Sequence, residues 1–203
     1  MEIRQKNELA SKKISKLLFS MAVPAITAQI INVLYNMVDR MYIGHIPDVG
    51  ATALTAIGVT IPIIVIISAF AALVSMGGAP QSSIMLGRGD KDRAEKILGN
   101  CTSALVLIAV ISTTIVIVFG EKMLIAFGAS ANTIGYALDY LNIYAYGTIF
   151  VQLALGLNAF ITSQGFAKTS MFTVLVGAVL NIILDPIFIF ALNMGVRGAA
   201  LAT

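Results

Sequence analysis

The chain has 203 residues, 58% of them hydrophobic and 11% charged, with a mean hydropathy of +0.92. Soluble domains run near 45–50% apolar and about 25% charged, so the composition points to a polytopic membrane protein and away from a soluble domain or a nucleic-acid module. The net charge of +3 reflects where Lys and Arg sit in the loops, and a single cysteine, Cys101, leaves no disulfide framework within the chain.

Residues 1–16 form a basic segment carrying Arg4, Lys6, Lys12, Lys13 and Lys16. The apolar run behind it is longer than a signal-peptide core and lacks an Ala-x-Ala site. It reads as a retained first transmembrane helix over Leu17–Met41. Within it Gln29, Asn32, Asn36 and Asp39 are spaced three, four and three apart, which places them along one helix face. Asn and Gln often bond across membrane helices, but Asp39 asks for more. Pro24 withdraws a hydrogen bond from the carbonyl of Ser20 and tends to bend this helix. His45, the only histidine, follows in a short loop and suits a surface position rather than a metal or a base.

A second span is expected over Ala53–Gly78. The stretch Gly87–Lys96 mixes both charges and reads as a solvated turn. Its glycines would cradle phosphate only inside a βαβ unit, and no strand is in prospect. The third span, Leu98–Phe119, opens with Cys101 as a small packing residue. The fourth, Ile134–Thr162, carries Asp139, Tyr140 and Tyr144 early and Asn158 late. The two tyrosines suit either a polar cavity or an interfacial aromatic belt. The fifth, Thr169–Leu192, repeats polar or small residues every four positions: Thr169, Thr173, Gly177, Asn181 and Asp185. Gly177 is expected to admit a neighbouring backbone, and Pro186 to free the carbonyl of Ile182 and kink the helix. A sixth helix begins near Gly198.

Orientation follows from the loop cations. One side holds the five basic residues of the N-terminal segment, then Arg88, Lys91, Arg93, Lys96 and Lys168; the other holds Arg40, Lys122 and Arg197. The N-terminus is therefore expected in the cytoplasm. The first and fifth helices then both run outward, which brings Asp39 and Asp185 to the same depth in the outer half of the bilayer. A charged carboxylate deep in lipid costs at least about 2.5–3.5 kcal/mol. Two near one another require a shared proton or a cation between them. Carboxylate, amide, hydroxyl and carbonyl oxygens suit a proton or a sodium ion.

Several motifs then occur together. The first helix ends Val38-Asp39-Arg40-Met41-Tyr42-Ile43-Gly44. The fifth carries Asn181-x-x-x-Asp185-Pro186. The chain continues Gly195-Val-Arg-Gly198-Ala-Ala-Leu-Ala-Thr203, and the first cytoplasmic loop reads Leu86-Gly-Arg-Gly-Asp90 with Ala94 following. The ordered set, over essentially the whole chain, resembles the N-terminal lobe of the multidrug and toxic compound extrusion (MATE) transporters. The resemblance implies an all-α membrane fold of twelve helices in two six-helix lobes around a central cavity. It implies export of small organic cations and drugs across the cell membrane against an inward flow of protons or sodium, with no other cofactor and no enzymatic step. By motif match the cation site falls on Asp39, Asn181, Asp185 and Thr203. Tyr140 and Asn158 match polar positions of that lobe and join Gln29, Asn32 and Asn36 as cavity-lining candidates. Pro24 matches the family proline associated with bending of the first helix.

Residues 17–203 are accordingly expected to be an incomplete N-terminal lobe, five spans and the start of a sixth. A second lobe is expected in the same longer protein or, alternatively, from a second chain. Two other readings are a lipid-linked-sugar flippase of the same superfamily, disfavoured by the lack of mid-membrane Arg or Lys, and a non-transporting membrane fragment.

Overall fold

The structure, a computed structural model, describes residues 13–203. Arg4, Lys6 and Lys12 of the basic segment lie outside the described residues. Six helices follow in order: α1 (Ile14–Gly44), α2 (Gly50–Arg88), α3 (Lys91–Ala126), α4 (Ile134–Ser163), α5 (Ala167–Pro186), a π-helical turn (Ile187–Ala191) and α6 (Val196–Ala202). Five of these units are long and apolar enough to cross a membrane.

The helices run past the apolar segments at most ends. α2 spans 39 residues and α3 spans 36, where the apolar segments have 26 and 22. Backbone hydrogen bonding continues into the interface until a turn signal stops it. Gly89, at φ 86°, supplies the left-handed residue that ends α2. Asp90 then caps α3, its carboxylate accepting from the Arg93 amide at 3.0 Å. The charged stretch Gly87–Lys96 is thus the α2–α3 turn and the opening of α3.

The helices pack in two sets. α2, α3 and α4 pack on one another, and α1 lies along α5; the π-turn joins α5 to α6, and α6 packs on α4. Small residues sit at the closest approaches: Ala53, Ala56, Ala71, Ala109, Ala137, Ala145 and Ala199 are fully buried. In lipid the backbones must come together through such residues, because the solvent is as apolar as the side chains. Gly78 packs against Cys101 so closely that any Cβ would collide with its Sγ, which gives the cysteine its packing role. Many large apolar residues point outward, with Met76 79% and Phe150 74% exposed.

Candidate functional site

The site begins at the α1–α5 seam. Both helices run in the same direction, so Asp39 near the end of α1 meets Asp185 near the end of α5. The two carboxyl groups stand within hydrogen-bonding reach of each other. Both are buried: Asp39 is 7% exposed and Asp185 is 0%. One turn before Asp185, buried Asn181 donates from Nδ2 to Asp185 Oδ1 at 3.5 Å. Among the described residues three oxygens in this group have no hydrogen-bond partner: Asp39 Oδ1, Asn181 Oδ1 and Asp185 Oδ2. Buried acceptors are almost always satisfied. An ionised carboxylate only accepts, so these oxygens suit a donor or a cation brought to them.

The surroundings are aromatic and hydroxylic. Tyr140 of α4 is buried beside Asp39 and within hydrogen-bonding reach of Thr203. Thr203 itself donates to the Ala199 carbonyl at 3.0 Å. Tyr144 lies a turn below, buried and in reach of Ser68. Both tyrosines therefore face the bundle interior rather than an aromatic belt. Tyr35, one turn before Asp39 and near both it and Asn36, also borders the site and was not singled out from the sequence. Its spacing of four from Asp39 was the available signal.

Pro186 shapes the site from the C-terminal side. Beyond it the backbone changes to the π-turn Ile187–Ala191. Such turns arise where the regular ladder has lost a bond. α6 then starts hard against this turn. A Cβ on Gly198 would lie 2.7 Å from the Phe188 carbonyl carbon and 2.9 Å from the Ile189 nitrogen. That close approach sets where Thr203 falls relative to Tyr140. On the exposed rim Arg197 donates to Asp139 Oδ1 at 2.8 Å, tying the start of α6 to α4. Pro24 is buried within α1, which stays helical through it.

The rest of the polar stripes separate from this cluster. On α1, Gln29 and Asn36 are exposed and Asn32 is half-buried. At about 100° per residue Asp39 stands roughly 80° round the helix from Gln29, enough to turn one inward and the other out. Asn36 bonds back to Asn32, Nδ2 to Oδ1 at 3.0 Å. On α5, Thr169, Thr173 and Gly177 are exposed while Asn181 and Asp185 are buried, because a four-residue repeat drifts round the helix. No atom lies within 4 Å of a Cβ placed on Gly177, so the expected backbone approach there does not occur. Asn158 is not brought to the carboxylates. Its Oδ1 accepts from Thr173 at 3.2 Å, about 18 Å along α5 from Asp185 at 1.5 Å per residue.

Comparison with known proteins gives a consistent answer. The chain matches the MatE family over residues 24–187. It is 30% identical over 190 residues to "Multidrug export protein MepA" of Staphylococcus haemolyticus, a match covering 94% of this chain and 42% of that protein. Among solved structures it superposes with TM-score 0.88 and 25% identity on an outward-facing multidrug resistance MATE family transporter of the MOP superfamily, covering 97% of this chain and 43% of that one. A MOP superfamily transporter from Pyrococcus furiosus, whose binding pocket is described as of reversed polarity, matches with the same TM-score, 0.88, and identity, 25%. The chain thus spans about two fifths of the length of the relatives it matches.

Proposed function

The chain belongs to the MatE family of membrane transporters, and on that premise we propose that it forms the N-terminal lobe of a cation-coupled multidrug antiporter in the cell membrane. Residues 17–203 supply that lobe, and the N-terminal segment lies in the cytoplasm. A second lobe, in the same longer protein or from another chain, completes the cavity, since alternating access works by rocking two halves about one site. The cargo is small organic cations and drugs. The chemistry is transport and needs no cofactor beyond the coupling ion.

One observation carries the coupling role: two buried carboxylates within reach of each other, which with Asn181 hold three oxygens without a partner among the described residues. A proton shared between Asp39 and Asp185 gives each a partner. A sodium ion bound by Asp39, Asp185 and Asn181 does the same with oxygen ligands. Either species stabilises one packing of α1 on α5 over another, and its release to the other face drives the exchange. Tyr140 and Thr203 border the site and hold α4 and α6 against it. Pro24 gives α1 a point at which to bend. The open polar face of α1, with Gln29 and Asn36, faces the drug path. The flippase alternative needs basic residues in mid-span, whereas Arg40 and Lys122 lie four residues before the ends of their helices and Arg197 in the first turn of its own.

The test is drug transport by the full-length protein in proteoliposomes under an imposed proton or sodium gradient. One of the two gradients is expected to drive transport, and Asp39→Asn is expected to abolish it. Undiminished gradient-driven transport by that variant would remove the coupling role.

A further inference from the structure

α6 packs with very little shape. Its buried residues Val196, Gly198, Ala199 and Ala200 are all small or medium in size. Gly198 sets how close α6 comes to the π-turn, and just before α6 the Met194 amide donates to the Phe188 carbonyl at 3.0 Å. A run of glycine and alanine lets backbones approach, but it offers no large side chain to interlock with α4. Packed helices take their register from side-chain ridges seated in grooves. Along α4, therefore, polar ties fix where α6 stands.

Two such side-chain ties join α6 to α4 among the described residues. At the start of α6, Arg197 donates to Asp139 Oδ1 at 2.8 Å. Six residues later, about 9 Å along the helix at 1.5 Å per residue, Thr203 lies within hydrogen-bonding reach of Tyr140. The two partners on α4 are consecutive residues. Tyr140 is buried beside Asp39, so the ion pair grips α4 at the residue next to a wall of the carboxylate site. A guanidinium–carboxylate bond is charge-assisted and directional, which suits it to fixing a register.

We infer that the Arg197–Asp139 ion pair is a positioning element of the coupling site: it sets the register of α6 on α4 and so holds Thr203 and Tyr140 in place beside the carboxylates, tightening the hold on the coupling ion. The inference rests on the coupling role given above to Asp39 and Asp185. It makes a prediction that simple electrostatics does not. Removing the Arg197 charge would by field alone favour a bound cation, and removing the Asp139 charge would disfavour it. A positioning role weakens the ion in both cases.

The test is drug transport by the full-length protein in proteoliposomes, measured as a function of pH and of sodium concentration, with the unfolding midpoint recorded for each variant. Arg197→Gln and Asp139→Asn are each expected to weaken the dependence on the driving ion about threefold, within the range of a lost ion pair. That reads as a higher half-saturating sodium concentration or a lower pH midpoint, with transport at saturating ion retained. The exchanged pair, Arg197→Asp with Asp139→Arg, is expected to restore the wild-type midpoint, and Lys122→Gln to leave it unchanged. Opposite shifts in the two single variants, no shift in either, or an exchanged pair no better than the singles would each overturn the inference. Loss of folding in every variant would also overturn it, by making the pair a folding element. Wild-type transport that depends on neither ion would instead remove the coupling role itself, and this inference with it.

Discussion

The α2–α3–α4 bundle and the α1–α5 seam both bury polar side chains, but they treat them differently. In the bundle the hydroxyls find backbone carbonyls. Thr60 donates to Ile57, Thr113 to Ala145 across the helix contact, Thr148 to Tyr144, and Ser75 to Ala71. A hydroxyl carries its own donor, so any spare carbonyl lone pair satisfies it. In the seam the side chains are carboxylates and an amide whose oxygens only accept. Of the four buried side-chain oxygens without a donor among the described residues, three belong to Asp39, Asn181 and Asp185. The fourth, Gln152 Oε1, lies in the bundle, where the same side chain donates from Nε2 to the Ile67 carbonyl at 2.8 Å. The bundle leaves one acceptor open, on a side chain that is otherwise bonded. The seam gathers three open acceptors on adjacent side chains.

The strongest way to break this contrast is to remove the demand in the seam. Asp39→Asn and Asp185→Asn each retain size and bring an amide donor. Both are expected to reduce drug resistance of cells expressing the full-length protein to the level of cells without it. Membrane levels and monodispersity are expected to match wild type. Combining the two is expected to add nothing, because the pair acts as one unit. Resistance that survives either single change would make the seam merely structural.

A geometric change at the seam's edge is expected to act next most strongly. Gly198→Ala places a Cβ against the backbone of Phe188 and Ile189, which cannot move as a flexible side chain can. Overpacking of this kind costs about 1–3 kcal/mol, read as a lowered unfolding midpoint. It also shifts Thr203 from Tyr140, so transport is expected to fall in part. Two changes in the bundle sharpen the other half. Gln152→Leu removes the unpaired acceptor together with its donor, and is expected to stay within about 1 kcal/mol of wild type with transport retained. Thr113→Val removes one interhelical bond, worth about 0.6 kcal/mol in a membrane bundle, and is expected to leave transport alone. A large loss of transport from either would mean that the bundle's polar groups belong to the site.

The five spans were legible because hydropathy alone marks a membrane helix, and the meeting of Asp39 with Asp185 was legible from two polar stripes and a parallel chain direction. Other features were not. The stripe on α1 reads as one line, yet a spread of roughly 80° is enough to bury Asp39 and expose Gln29 at a helix edge. Gly177 looked like a contact point because small residues often are, but the α1–α5 contact forms on another face. Tyr140 and Tyr144 sit in a helix that is apolar all round, so periodicity alone could not separate belt from interior. Asp139 pairs with a residue 58 positions away, beyond any local pattern. Tyr35 does not stand out in the sequence, because its neighbours Asn36 and Asp39 carry the obvious chemistry.

The central claim is that the carboxylate pair holds the coupling ion, and infrared difference spectroscopy of the full-length protein in lipid addresses it directly. Spectra are taken across the neutral pH range with and without sodium, for wild type and Asp39→Asn. The account predicts either a protonated-carboxyl band in wild type that titrates and is absent from the variant, or a carboxylate band that shifts on adding sodium in wild type only. Indistinguishable spectra for the two proteins under all these conditions would contradict it.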